Sequence, residues 1–405
     1  MQFITACGLQ TESDSGNMYS AAVPMETTPV IDYKLPEQTA NVLVSRVGYQ
    51  ADSRKEAAVK GKTLPDSFRI VQADSGEVVY TGDLKRVSYH ADLDLSVGYA
   101  SFDELLEPGT YYVECDIVGR SYTFTVEEVL YARLFGETYH QLLENARDGS
   151  LSLRGAIALL TAYDWYIELF PDEDGDEVPD VMAGLAEWME SYEEQAQDED
   201  QLLRAAFLAK FSYLYQNYNR RYATSCLQRA TTLYSQTQNT MQKDAEHFFA
   251  LTELYRATGV NTYRVQIEDY SNFFENNSSY LDETEYLYGV MTYLMTRQKV
   301  DRTFCDGLMK KLMMRGEEIA GYYDEIVHPV SAHNNGTEDM LQHVQALLFV
   351  NYVLGSYQYY NIEKDFLSFL GGRNLESVNF YAAEADPESY ILLLSQLTAQ
   401  NQIQK

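Results

Sequence analysis

Residues 139–180, YHQLLENARDGSLSLRGAIALLTAYDWYIELFPDEDGDEVPD, mark where the chain changes character. Upstream, short runs alternate apolar and polar residues with a period of two, as half-buried strands do. Downstream, apolar residues recur at i, i+3 and i+4 over helix-length segments. Inside the stretch a helix is expected from about Gly155, and Pro179 opens another, where its missing N–H costs nothing. The fold class that follows is multidomain: an immunoglobulin-like β-sandwich, then an all-α domain.

Upstream, Asn41 to Tyr49 (NVLVSRVGY), Ser67 to Ala73, Val78 to Thr81, Gly109 to Cys115 and Ser121 to Val126 read as strands. Asp74-Ser75-Gly76, Glu107-Pro108-Gly109 and Val118-Gly119-Arg120 supply turns, with glycine where positive φ is needed. Downstream, about twelve helical segments begin near Leu130, Gly155, Pro179, Asp200, Arg221, Asp244, Thr262, Thr284, Thr303, Thr337, Ile362 and Asp386. Pairs of helices on short loops suggest an (α/α)6 toroid. The domains expected are a tether over 1–39, the sandwich over 40–127 and the helical domain over 128–405.

Composition narrows the partners. Sixty-one acidic against 30 basic residues give a formal charge of −31, which repels nucleic-acid phosphates and anionic lipid. A neutral glycan does not feel that field, and 34 Tyr with 17 Phe offer stacking faces as well as packing volume. No run of about 18 apolar residues exists, so no membrane-spanning helix is expected. Ile4-Thr5-Ala6-Cys7-Gly8 resembles a bacterial lipobox, in which Cys7 would carry a lipid anchor to the membrane, and the polar stretch Leu9 to Gln38 suits a tether. Cys115, Cys226 and Cys305 show no CxxC spacing, so neither a zinc site nor a disulfide framework follows.

Several segments resemble glycoside hydrolase family 9, the cellulase-like enzymes that carry an N-terminal immunoglobulin-like domain. NVLVSRVGYQADSRKEAAV resembles the opening of that domain, with Ser45-Arg46 in place of its Asn-Gln; SFDELLEPGTYYVECDIVGRSYTFTV resembles its end. In the helical part, Arg204 to Tyr234 and Asp244 to Arg264 resemble two helices of the catalytic module, above all Glu253-Leu254-Tyr255-Arg256-Ala257-Thr258-Gly259. HNNGTEDMLQHVQALLFVNYVLG and FLGGRNLESVNFY resemble two further segments, so the likeness spans most of residues 40–400.

The resemblance implies an inverting glycosidase, in which one carboxylate activates water and a carboxylic acid protonates the leaving oxygen, roughly 6.5–9.5 Å apart. The family's base lies in an Asp-Ala-Gly-Asp segment. Its counterpart here is Asn145-Ala146-Arg147-Asp148, with Asp148 as the base and Asn145 as the water-holding partner. Asn145 cannot act as a base, and Arg147 stands where glycine would allow close approach and would weaken a neighbouring carboxylate. Asp148-Gly149 also reads simply as a helix-ending turn. The acid's counterpart is Glu384, in a segment that otherwise reads as a helix start, with acids placed to complement the dipole. His333 and Asn334 are candidate sugar contacts. Asp172, Asp174, Asp176 and Asp180 in DEDGDEVPD place oxygen ligands at alternate positions, as a Ca²⁺ loop does, although Gly175 falls out of register with that pattern and an acidic turn before a helix explains them equally. No cofactor is required.

Three functions remain open. The first is a bacterial extracellular or cell-surface lipoprotein, monomeric, that binds polysaccharide of the β-glucan type with its catalytic machinery truncated. The second is an active, divergent inverting endo-β-glucanase. The third is a protein-interaction scaffold.

Overall fold

The structure, a computed structural model, describes residues 38–91, 93–195, 200–237, 244–277, 279–325, 337–383 and 387–403. Ten strands come first: β1 Val42–Leu43, β2 Tyr49–Gln50, β3 Glu56–Gly61, β4 Ser67–Gln72, β5 Val78–Asp83, β6 Lys85–His90, β7 Leu95–Ser101, β8 Gly109–Cys115, β9 Gly119–Arg120 and β10 Phe124–Glu127. They form two sheets, ordered β1-β3-β7-β6 and β2-β10-β8-β4-β5, with β9 added on β8. Inward residues of both, among them Val42, Val59, Phe68, Ile70, Val113 and Phe124, close one core between them. Tyr49 meets Phe102 and Phe124 edge-on at ring distances of 5.2 and 5.1 Å, a geometry that sets ring edges against ring faces. This is the immunoglobulin-like sandwich expected.

Asn41 to Tyr49 is not one strand, as its alternation suggests, but two. Gly48 turns back with φ 107° and donates its N–H to the Ser45 carbonyl at 3.3 Å, so β1 enters one sheet and β2 the other. A Cβ on Gly48 would lie 2.6 Å from Thr125 Oγ1, so both dihedral and space favour glycine there. The strand expected over Ser121 to Val126 starts only at Phe124. Strands β3, β6, β7 and β9 are additional to the five expected, and β9 falls on Gly119-Arg120, which were expected only as a turn. β6 is mostly exposed and carries little apolar signal, while β7 holds Gly98 against the side chains of Val87 and Leu64.

Fourteen α-helices follow among the described residues. Six are buried on nearly every side: α2 Leu153–Trp165, α4 Gln201–Tyr215, α6 Ala245–Thr258, α9 Thr284–Met295, α11 Thr337–Leu354 and α14 Pro387–Ile403. In α14 every residue from Tyr390 to Gln400 is buried, and in α6 every residue from His247 to Arg256. Helices of that kind belong inside a helical body. The others bury one stripe. In α1, Leu130–Asp148, that stripe is Leu130, Tyr131, Leu134, Phe135, Thr138, Tyr139, Leu142, Leu143 and Ala146. α3 Asp180–Gln195, α5 Arg220–Thr237, α7 Asn261–Glu268, α8 Ser271–Asn276, α10 Arg302–Glu325, α12 Tyr360–Leu370 and the short α13 Phe380–Ala383 complete the set.

Packing follows this division. Each buried helix touches the next, α2 to α4, α6, α9, α11, α14 and back to α2, which closes a six-membered ring. One or two outer helices separate each inner helix from the next along the chain and carry it back, so the inner helices start at the same end of the ring. This is the (α/α)6 toroid. The sandwich and the ring form one compact unit. Arg46 N–H donates to the Gly371 carbonyl at 2.8 Å, and a Cβ on Gly371 would meet Ser45 Oγ at 2.7 Å. Arg373, 1 % exposed, reaches Glu56 of β3 at 3.4 Å and Asp365 of α12 at 2.7 Å.

Candidate functional site at the amino-terminal mouth of the ring

The starts of the inner helices surround a cleft of about 550 Å³. Its lining includes Ser152, Arg154 and Gly155 from the start of α2, Asp282 to Glu285 from the start of α9, and Glu388 and Ser389 from α14. Converging helix amino termini present unpaired N–H groups and partial positive charge. Acidic side chains accumulate there accordingly.

Ser152 caps α2, its Oγ accepting the Gly155 N–H at 2.9 Å. The same hydroxyl donates to Glu388 Oε2 at 2.5 Å, and the Ser152 N–H donates to Glu388 Oε1 at 2.9 Å. Glu388 thereby lies across Gly155, where a Cβ would come within 2.2 Å of its carboxyl carbon. Arg154 spans the cleft, pairing with Glu246 at 3.3 Å and with Glu285. Asp282 pairs with Arg315 at 2.6 Å. Burial, aided by Asp244 and Asp282, raises the Glu283 carboxyl above its usual range, and burial raises Glu246 likewise.

Asp148 stands apart from this lining. It is the last residue of α1, exposed, with Gly149 beyond it in the left-handed conformation at φ 79° that commonly ends helices. Its Oδ1 accepts the Ser150 N–H at 2.9 Å, and hydrogen bonding from Ser150 lowers its pKa. Asn145, half-buried in α1, accepts the Leu151 N–H on its carbonyl at 3.0 Å. Glu384, His333, Asn334 and Cys7 lie outside the described residues.

In the acidic turn, ligand oxygens of Asp172, Asp174 and Asp176 lie within 4.8 Å of one another. The donor set suits a hard cation such as Ca²⁺. The same oxygens also accept backbone N–H groups: Asp172 takes Gly175 at 2.8 Å and Glu177 at 2.9 Å, and Asp176 takes Val178 at 2.8 Å. Asp180 accepts the Glu173 N–H at 3.3 Å and sits outside the group of three.

Sequence reading missed Glu388 as a cleft residue, because only the contact between α14 and α2 brings it to Ser152. It also missed a second polar cluster inside the ring, formed by Asp164, Lys210, Glu253 and Arg256. A signal for it existed, since Lys210 in RAAFLAKFSYLY is a lone charge in an apolar helix and requires a partner.

A sandwich followed by a ring of helices is also the fold of solved family 9 glycoside hydrolase structures, and the likeness is one of fold. Residues 37–120 match the family model of the cellulase N-terminal ig-like domain. Among solved structures, a metagenome-derived glycoside hydrolase family 9 endoglucanase superposes with a TM-score of 0.69 at 16% identity, covering 84% of each chain. A family 9 protein of Bacteroides ovatus gives 0.66 at 15% identity over 84% of this chain and 86% of that one. AaCel9A, in complex with cellobiose-like isofagomine, gives 0.65 at 14% over 84% of each. No curated protein matches the sequence.

Proposed function

We propose that this chain is a bacterial cell-surface protein that binds polysaccharide of the β-glucan type across the cleft at the amino-terminal mouth, with hydrolysis weak or absent. The observation that carries the reading is the state of the cleft's carboxylates. Glu388 is spent on Ser152, Glu285 on Arg154 and Asp282 on Arg315. Glu283 alone among the described lining acids has no recorded side-chain hydrogen bond or ion pair. Inverting hydrolysis needs two carboxyl groups facing each other across the bond, whereas binding needs only the groove. The solved structure with cellobiose-like isofagomine lends the sugar ligand support by likeness of fold. Lipidation at Cys7 would hold the protein at the membrane surface, and no helix among the described residues is long and apolar enough to cross it.

Affinity electrophoresis on soluble β-glucans, run beside a reducing-sugar assay, tests this reading. Retardation without release of reducing ends is the expected result. Release that is lost in Asp148→Ala overturns it. A blank glycan panel beside a specific pull-down would point instead to a protein-interaction scaffold.

Glu283 favours the second reading, a divergent inverting endo-β-glucanase, because its carboxyl is raised above the ordinary range, by partial desolvation and by Asp244 and Asp282, which is the direction a general acid needs. Release abolished by Glu283→Gln with binding intact would establish it. We also propose that the acidic turn takes Ca²⁺, which would replace its carboxylates' repulsion with shared ligation. A Ca²⁺-dependent rise in Tm, lost in Asp172→Asn, is the expected sign.

A further inference from the structure

The opposite end of the ring holds a separate cavity of about 220 Å³, built where the inner helices finish. Its polar floor is cross-linked by ion pairs. Asp164, near the end of α2, receives Lys210 Nζ at 2.8 Å and Arg256 Nη1 at 2.7 Å, both on Oδ2. Lys210 and Arg256 are 3 % and 8 % exposed, and each is held a second time by the fully buried Glu253, at 3.3 and 2.9 Å. The Arg256 guanidinium rests on the Tyr213 ring at 4.5 Å. Burial opposes ionisation of Asp164, but the two cations outweigh it and hold the carboxyl well below its usual range.

That arrangement uses only part of its bonding capacity. Asp164 Oδ1 has no recorded partner among the described residues, and Asp164 lines the cavity. Lys210 has three N–H donors and two recorded acceptors. Arg256 Nε, buried, has no acceptor among the described residues. One wall is aromatic: Trp165 and Tyr352 stack at 4.5 Å and 12° and are both only partly buried. A locked acceptor, a spare donor and an indole, grouped in a space below the usual drug-sized pocket, match a single small polyol with an apolar face.

We propose that the carboxyl-terminal mouth of the ring is a second binding site, which takes one neutral sugar ring with a hydroxyl donated to Asp164 Oδ1, a second accepting from Lys210, and its C–H face on Trp165. The ion pairs at Lys210 and Arg256 are already balanced by Asp164 and Glu253, so the floor itself offers hydrogen bonds rather than net charge; Arg297, exposed, adds a cation to the lining, and a neutral sugar is the ligand that the bonding of the floor fits. This site is independent of what the amino-terminal cleft binds. The wall between the two cavities is thin, since Tyr288 lines both.

The protein has two tryptophans, and the other, Trp188, is 2 % exposed with its Nε1 bonded to the Leu151 carbonyl. Trp188 therefore contributes a constant background, and a ligand-dependent change in tryptophan emission reports on Trp165. The full chain is titrated with D-glucose, D-xylose, D-galactose, D-mannose and D-glucuronate, by emission and by calorimetry. A saturable emission change with at least one neutral sugar is expected, together with affinity at least about tenfold weaker in Asp164→Asn, which loses a charge-assisted acceptor. Trp165→Ala, read by calorimetry, gives the same answer if Asp164→Asn fails to fold. No saturable binding of any of the five overturns the proposal. So does preference for glucuronate, and so does binding that survives both variants but is lost in Arg154→Ala at the opposite mouth.

Discussion

Glu363 of α12 is completely buried, and its Oε1 accepts from Asn351 Nδ2 at 2.6 Å and Gln396 Nε2 at 2.7 Å. Its Oε2 has no hydrogen-bond partner among the described residues. Burial pushes the carboxyl up to about 8 against these two hydrogen bonds, from a reference of 4.5. Between those values the folded state binds a proton that the unfolded chain has released, so the group's contribution to stability falls as pH rises from about 4.5 to about 8 and is flat above. Glu363→Gln keeps the shape and the accepting oxygen without a charge. Its expected effect is a gain of at least ~1 kcal/mol at pH 7 and almost none near pH 4.5, measured by urea unfolding at both pH values. At Gly155 the constraint is steric. The 2.2 Å approach to Glu388 means that Gly155→Ala must expel Glu388 from Ser152 or push α14 aside. A loss of about 1–3 kcal/mol is expected, largely recovered when Glu388→Ala is added, as a denaturation double-mutant cycle would show.

At the scale of elements, caps made helix positions readable. Asp244 accepts the His247 N–H at 2.9 Å and starts α6, while Gly259 ends it at φ 66°. Asp244→Ala is expected to cost about 1 kcal/mol in chemical denaturation, the worth of a lost N-cap. All twelve expected helices are present and begin within two residues of their expected positions, because period and caps are both local. The shorter α8 and α13 lack the length for a periodic signal. Strands fared less well where the deciding contact is distant. The alternation of NVLVSRVGY continues across the turn at Gly48, and only the partners of each half, β3 for β1 and β10 for β2, show that the chain has changed sheets. The candidate site was less legible still. The cleft is lined from Ser152 to Leu392, so no single segment carries a motif for it, and the segment read as the counterpart of the base motif, Asn145 to Asp148, lies at the end of an outer helix.

The whole molecule depends on the join between sandwich and ring. Glu56, 2 % exposed in β3, faces Arg54, Arg86 and Arg373, and Asp365 of α12 takes Arg373 and Arg54 from the other side. Three guanidinium groups and two carboxylates thus bridge elements separated by about three hundred residues of chain, |i−j| = 317 for Arg373 and Glu56. Buried ion pairs recover little net free energy when formed, because desolvation offsets the Coulomb attraction, yet breaking one strands a charge. Arg373 cannot shed its proton and, at 1 % exposure, cannot reach water without opening the join. Glu56→Ala is therefore expected to cost about 3–5 kcal/mol, and the loss falls on the join rather than on either core. In scanning calorimetry the wild type should unfold in one transition, and the variant in two, with the sandwich melting first because its core is the smaller. A variant that still unfolds in a single transition, displaced by less than about 1 kcal/mol, would show that Gly371 against Ser45 and the Arg46 backbone bond hold the join without the charges.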